Sequence, residues 1–151
     1  MKADKTLIGR WDYADFPGFQ LTDVPVKIDT GAFTSSLRCS LIEEIVKDGT
    51  TILRYTILDQ DDPIPIEKRT FETGNYTSRV VRNSGGEPEK RFSVETTVHI
   101  FEEDTLVEFT LAKRHGLRFP VLLGRKFLGN RFLIDPSKTR LSHKSKKKRN
   151  H

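Results

Sequence analysis

Residues 26 to 37, "VKIDTGAFTSSL", carry an apolar strand straight into Asp29, Thr30 and Gly31. Val26 and Ile28 flank Lys27 in the alternation of a half-buried strand, and a glycine two residues past the aspartate permits a sharp turn. The aspartate has two readings. It opens an ordinary β-turn, or it is a carboxylate held at a strand end for chemistry. At ordinary residue frequencies the tripeptide arises by chance in roughly a few percent of chains this long, so the surrounding residues must decide.

Those residues are strand-like throughout. Short β-branched and aromatic runs, "TLIGRW", "VPVKID", "SLIEEIV", "TILRYTIL", "RTFE", "SRVVRN", "RFSVETTVHIF", "TLVEFTLA", "FPVLLG" and "RFLID", are separated by turn signals such as Phe16-Pro17-Gly18, Lys47-Asp48-Gly49, Asp61-Asp62-Pro63 and Ser84-Gly85-Gly86. In "RFSVETTVHI", Phe92, Val94, Thr96, Val98 and Ile100 share one face, which leaves His99 on the solvent face. Helical periodicity is nearly absent. The pattern predicts an all-β fold, an antiparallel barrel or sandwich, with one short helix at "GRKFLGN", residues 124 to 130. Residues 1–141 form that single domain, and residues 142–151 are expected to be a basic, disordered tail.

Composition sets the outer bounds. A chain of 151 residues and 17.4 kDa, 35% hydrophobic and 31% charged, with a mean hydropathy of -0.52, reads as one soluble domain. No apolar run approaches the ~20 residues of a membrane-spanning helix, and the opening "MKADKTLIGRWDYADF" has no signal-peptide core, so a cytoplasmic location without membrane contact is the expectation. One cysteine, Cys39, excludes an intrachain disulfide; it reads as a small buried filler, with a nucleophile as the alternative. The net charge is +5, and the last ten residues, "SHKSKKKRNH", carry five Lys or Arg and no acid. Such an end either solubilises the chain or meets nucleic-acid phosphates.

His99, His115, His143 and His151 show no metal-ligand spacing, and there is neither a phosphate-binding Gly-rich loop with Lys nor a Gly-x-Ser-x-Gly elbow. Asp-Thr-Gly is what remains. In one known arrangement two such loops face each other across a two-fold axis. Two adjacent carboxyls cannot both ionise, so they share a proton. One then takes a proton from the attacking water while the other polarises a peptide carbonyl, and no cofactor is needed. Asp29 would be that acid, Thr30 would send its hydroxyl across the axis, and Gly31 would let backbone N–H groups approach the carboxylates.

"VKIDTGAFTSSL", "PVLLGRKFL" and "RFLIDPSKTRL", with "LIGRWDYADFPGF" before them and "SRVVRNSGG" mid-chain, resemble the retropepsin-like aspartic peptidases. The similarity is to the bacterial and archaeal family labelled ATP-dependent zinc proteases, and it runs from about Leu7 to Leu141. It implies a closed retropepsin-like β-barrel with Asp29 as the catalytic aspartate and Thr30 and Gly31 as its supporting loop. Gly124 would lie beneath that loop, and Arg125 would be the structural arginine of the short helix. "VVRNSGGEPEKRF" would be the flap over substrate, with Gly85 and Gly86 at its tip and Ala32 also facing substrate; a Gly pair equally suits any hairpin turn. Phe33 stands where the family usually has a basic residue, and "AFTSS" offers Arg125 no acid to pair with.

Two functions from different classes follow. The first is an aspartic endopeptidase, a homodimer because one Asp-Thr-Gly per chain is half a site, acting on a peptide or protein substrate. The second is a non-proteolytic binding or regulatory module of the same fold. The family's association with ATP-grasp ligases that add glutamate to a ribosomal protein would make either of those a partner. Zinc-dependent hydrolysis ranks last, for want of converging ligands.

Overall fold

In the computed structural model, which describes residues 4–113 and 118–149, the strands run in the order β1 (Thr6–Ile8), β2 (Trp11–Phe16), β3 (Leu21–Ile28), β4 (Ser35–Lys47), β5 (Thr50–Ile57), β6 (Thr70–Thr73), β7 (Thr77–Arg82), β8 (Pro88–Ile100), β9 (Glu103–Ala112), β10 (Val121–Leu123) and β11 (Phe132–Ile134). Six of them close a barrel in the ring β10-β3-β2-β8-β9-β4, with β4 returning to β10, and it is mixed rather than antiparallel as expected, because β10 runs parallel to β3 and β4 parallel to β9. Closure leaves those six strands without a free edge.

Period-two alternation explains which residues fill the barrel. Val24, Val26 and Ile28 point inward from β3, Val94, Val98 and Ile100 from β8, and Val107, Phe109 and Leu111 from β9. Each such side chain is worth about 1.5–3 kcal/mol when fully buried. His99, on the opposite face of β8, holds Asp104 Oδ1 at 2.7 Å through Nδ1, in keeping with its expected solvent-side position. Cys39 is buried in the core and its thiol is pushed up to about 12 by that burial, which removes it as a nucleophile.

β4 is too long for the barrel alone. It pairs with β5 from Cys39, opposite Ile57, to Lys47, opposite Thr50, with a register shift between Cys39 and Leu41, and β5 pairs in turn with β6 to extend the sheet past the barrel. β7 pairs only with β8 and makes a hairpin that stands out from the barrel mouth.

The expected helix after Gly124 is present as α2 (Arg125–Leu128), but it is not the single helix of the fold. α1 (Ile66–Arg69) is set by Arg69, whose guanidinium is buried and donates to the carbonyls of Ile64, Ile57 and Asp59. The larger correction is at the end of the chain. The segment expected to be disordered forms α3 (Leu141–Arg149), while residues 150 and 151 lie outside the described residues, as does His115. The cause is remote in sequence. The buried Asp12 carboxylate accepts the amides of Ser142 at 2.8 Å and His143 at 3.2 Å, the work a local N-cap would do. Ser142 Oγ in turn accepts the Phe101 amide at 2.9 Å, and the His143 ring lies 4.9 Å from that of Tyr13.

Candidate active site

Asp29 follows the last residue of β3, and its place is fixed by the strand inserted beside it. β10 runs parallel to β3, with Val121 opposite Val26, and antiparallel to β4, with Val121 opposite Leu37. The Asp29 amide extends the β3–β10 ladder by one bond, donating to Leu123 O at 2.9 Å. The chain then turns. The Ala32 amide donates to Asp29 O at 3.3 Å, and the Gly31 amide donates to Asp29 Oδ1 at 3.0 Å.

α2 completes the loop from below. Its first amides, Arg125 and Lys126, donate at 2.9 Å to the carbonyls of Ala32 and Phe33, so helix start and loop satisfy each other. This close approach requires the glycine at 124: a Cβ there would stand 2.7 Å from Thr34 O and 2.8 Å from Phe33 O. The Gly124 amide is held by Ser35 Oγ at 3.0 Å. Arg125, which lacks an acid nearby in sequence, donates to Thr30 O at 3.0 Å and lies 5.8 Å from the centre of the Phe33 ring. Phe33 thus takes up the guanidinium by its aromatic face, and it is 58% exposed.

The Asp29 side chain opens onto a cavity of about 560 Å³ between the loop and the β7–β8 hairpin. Ala32 and Ser36 form its floor, and Arg79, Lys90 and Arg91 of the hairpin together with Lys113 at the end of β9 form its walls. Among the described lining residues four cations face two carboxylates, Asp29 and Glu89. Gly85 and Gly86 sit at the hairpin tip and do not line the cavity. Gly86 has φ +81, and the turn is closed by Asn83, whose Oδ1 accepts the Gly85 and Glu87 amides at 3.0 and 3.1 Å.

Of the residues singled out from sequence, Asp29, Thr30, Gly31, Ala32, Gly124 and Arg125 therefore form one hydrogen-bonded unit, with the glycine pair apart from it. The cationic lining went unread. Arg79 comes from β7, Lys90 and Arg91 from β8 and Lys113 from just past β9, and no local pattern in the sequence announces that they line one cavity. No group of three or more metal-ligating side chains occurs among the described residues.

A crystal structure of a Legionella pneumophila protein of unknown function (DUF785) superimposes with a TM-score of 0.68 and 26% identity, covering 92% of this chain and 99% of that one. A "Probable alpha-L-glutamate ligase" of Desulfotalea psychrophila is 29% identical over 136 residues, and one of Shewanella pealeana is 27% identical over 142. The matches take in 88% and 92% of this chain but only 28% and 30% of those proteins, so the chain spans under a third of the length of the curated relatives it matches. Residues 7–145 match the RimB-like family, "Retropepsin-like aspartic endopeptidase RimB", and the chain belongs to that family.

Proposed function

We propose that the protein hydrolyses peptide bonds as a homodimer, with a water activated between the Asp29 carboxyls of two copies. The observation that supports this most is the Asp29 carboxylate itself, set in a loop braced by α2 and open to a cavity large enough for a peptide segment. The ionised Asp29 takes a proton from water as the water oxygen bonds to the carbonyl carbon. The protonated Asp29 of the second copy gives its proton to the carbonyl oxygen, yielding a tetrahedral diol. The Asp29 that took the proton from water gives it to the amide nitrogen while the other, now ionised, Asp29 takes the proton of one diol hydroxyl; the C–N bond breaks, a carboxylic acid and an amine leave, and the pair again shares one proton. Preorganisation of the loop matters because reacting atoms must be held within a few tenths of an ångström.

The four cations of the cavity favour a substrate with acidic side chains over a neutral one. A glutamate-rich peptide fits that lining, and the curated relatives bear a glutamate-ligase name. The test is cleavage of Glu-rich and Lys-rich peptide libraries across protein concentration, with a chelator present. Specific activity should rise with concentration as dimers form, and the Glu-rich set should be cut faster. Activity abolished by EDTA and restored by zinc would defeat the aspartic mechanism, and activity per chain independent of concentration would defeat the shared site. Binding of the Glu-rich set without cleavage would point to the regulatory module.

A further inference from the structure

Peptide hydrolysis leaves the most heavily charged element of the chain unused. The last ten residues carry five Lys or Arg and no acid, equal to the entire net charge of +5. Lys144, Lys146, Lys147 and Lys148 are all exposed on α3. A tail kept for solubility needs no anchor, yet this one is pinned by the Asp12 carboxylate, by Ser142 Oγ on the Phe101 amide and by the His143 ring on Tyr13.

The helical period sorts its charges. Lys144, Lys147 and Lys148 stand at i, i+3 and i+4 and share one face. Lys146 lies off that face, with its Nζ 3.9 Å from Asp23. Like charges at such spacings weaken an isolated helix, so the anchor holds together what repulsion would fray. Contacts along α3 move from Trp11 and Asp12 through Tyr13 to Asp23, so the helix runs along β2 away from Asp29. Asp23 precedes Asp29 by six residues, about 20 Å of strand, which separates the lysine face from the cavity.

We propose that the Lys144, Lys147 and Lys148 face of α3 binds the phosphodiester backbone of a nucleic acid without reading its sequence. Three ammonium groups with no acid among them match a row of phosphates. A membrane surface is a poorer fit, because an interfacial helix needs a broad apolar face and Leu141, half-buried, is the only apolar residue of α3. A folded protein partner is poorer too, since the face offers no aromatic or arginine anchor.

The test is fluorescence anisotropy of the full chain with a 20-base-pair RNA duplex and the same sequence as DNA, between 50 and 200 mM salt. Dissociation constants of about 10⁻⁴ to 10⁻⁶ M are expected, with a slope of log affinity against log salt of about -2.7 for three phosphate contacts. The triple variant Lys144→Gln, Lys147→Gln, Lys148→Gln should bind at least about tenfold more weakly with a flattened slope. Its circular dichroism should match the parent protein, because these side chains support nothing in the barrel. An unchanged affinity in the triple variant would overturn the proposal, as would no binding of either duplex at 100 μM protein. Tighter binding of soluble poly-glutamate than of either duplex through the same lysines would also overturn it, in favour of an acidic polypeptide. Binding by RNA alone or DNA alone would support it and identify the source of the backbone. The outcome is independent of peptide cleavage.

Discussion

Asp12 and Asp29 belong to neighbouring strands of one barrel, and their surroundings are opposite. Asp12, on β2 opposite Val26, is fully buried; its Oδ1 accepts the Tyr13 and His143 amides and its Oδ2 the Ser142 amide. Asp29, one residue past β3, accepts the Gly31 amide on Oδ1 and faces the cavity. A carboxylate has about four acceptor positions. Where backbone amides fill most of them the acid is part of the scaffold; where they stay open toward a cavity it is available to a water or a carbonyl. Where the backbone donors go separates the roles of the two aspartates.

The largest effect should come from exchanging each for asparagine. Asp29→Asn keeps the shape and the Gly31 contact but cannot take a proton, so peptide cleavage should fall by at least about 10³-fold. Its unfolding free energy should stay within the range of a surface change, about 0.5 kcal/mol. Asp12→Asn should leave cleavage measurable and lower stability instead. Cleavage retained by Asp29→Asn, or lost by Asp12→Asn in protein that is fully folded, would collapse the distinction between the two sites.

Asp12→Ala sharpens the scaffold half of the comparison. It strips three buried or half-buried amides of their acceptor, and each such loss costs about 1–3 kcal/mol where water cannot reach. We expect about 3 kcal/mol in urea titration, with the amides of Ser142 and His143 losing hydrogen-exchange protection first. Burial pushes the Asp12 carboxyl above its usual 3.8, against the pull of the Ser142, Tyr13 and His143 amides. A folded-state value above the unfolded one means the native state binds the proton more tightly. Asp12 therefore contributes a loss of stability as pH rises from about 3.8 through the raised value, and none beyond it. The alanine variant should lack that slope.

Gly124→Ala tests the site half. Its Cβ would meet the carbonyl oxygens of Thr34 and Phe33 at 2.7 and 2.8 Å, and both are backbone atoms that cannot swing aside. Overpacking of this kind costs about 1–3 kcal/mol. The displaced loop carries Asp29, so cleavage should drop by more than the stability loss alone explains. A variant as stable and as active as the parent would show that the loop is not held from below.

How much of this was readable in advance follows the range of the interactions. Strand alternation, the Asp-Thr-Gly turn, and the glycine and short helix that brace it are local patterns, and the all-β class was legible from them, while the choice of a closed barrel over a sandwich came from the family resemblance. α3 was not, because Leu141 is its only apolar residue and its cap is supplied by Asp12, 130 positions away. α1 depends likewise on Arg69 reaching carbonyls up to 12 residues distant. Phe33 looked like the loss of a charge; in three dimensions it is an aromatic surface for Arg125, a contact that no spacing announces. The cations of the cavity come from both arms of a hairpin and a third strand, so only the pairing register brings them together.

Glu44 lies between the two aspartates in character and should give the smallest effect. On β4, it accepts the Lys90 ammonium on Oε1 at 2.6 Å and the Tyr76 hydroxyl on Oε2 at 2.7 Å. Lys90 belongs to β8 and lines the cavity, and Tyr76 immediately precedes β7, so one carboxylate ties both arms of the hairpin to the sheet. The Lys90 contact first, and the Tyr76 hydroxyl second, hold its carboxyl below the usual 4.5. A depressed folded-state value means the contribution is fully present above about 4.5 and is lost as pH falls through the lower folded value. Glu44→Gln keeps an acceptor and removes the charge. We expect KM for an acidic peptide to rise about twofold to fivefold with kcat little changed, as for a solvent-accessible ion pair. Amides of β7 should exchange faster, and the melting temperature should move far less than in Asp12→Ala. Acidification of the parent protein should bring its hairpin exchange toward that of the variant, while the variant itself stays flat over the same range. Equal KM and equal β7 exchange in the two proteins from neutral pH downward would remove Glu44 from the control of the hairpin and return it to the exposed, weightless ion pairs of the surface.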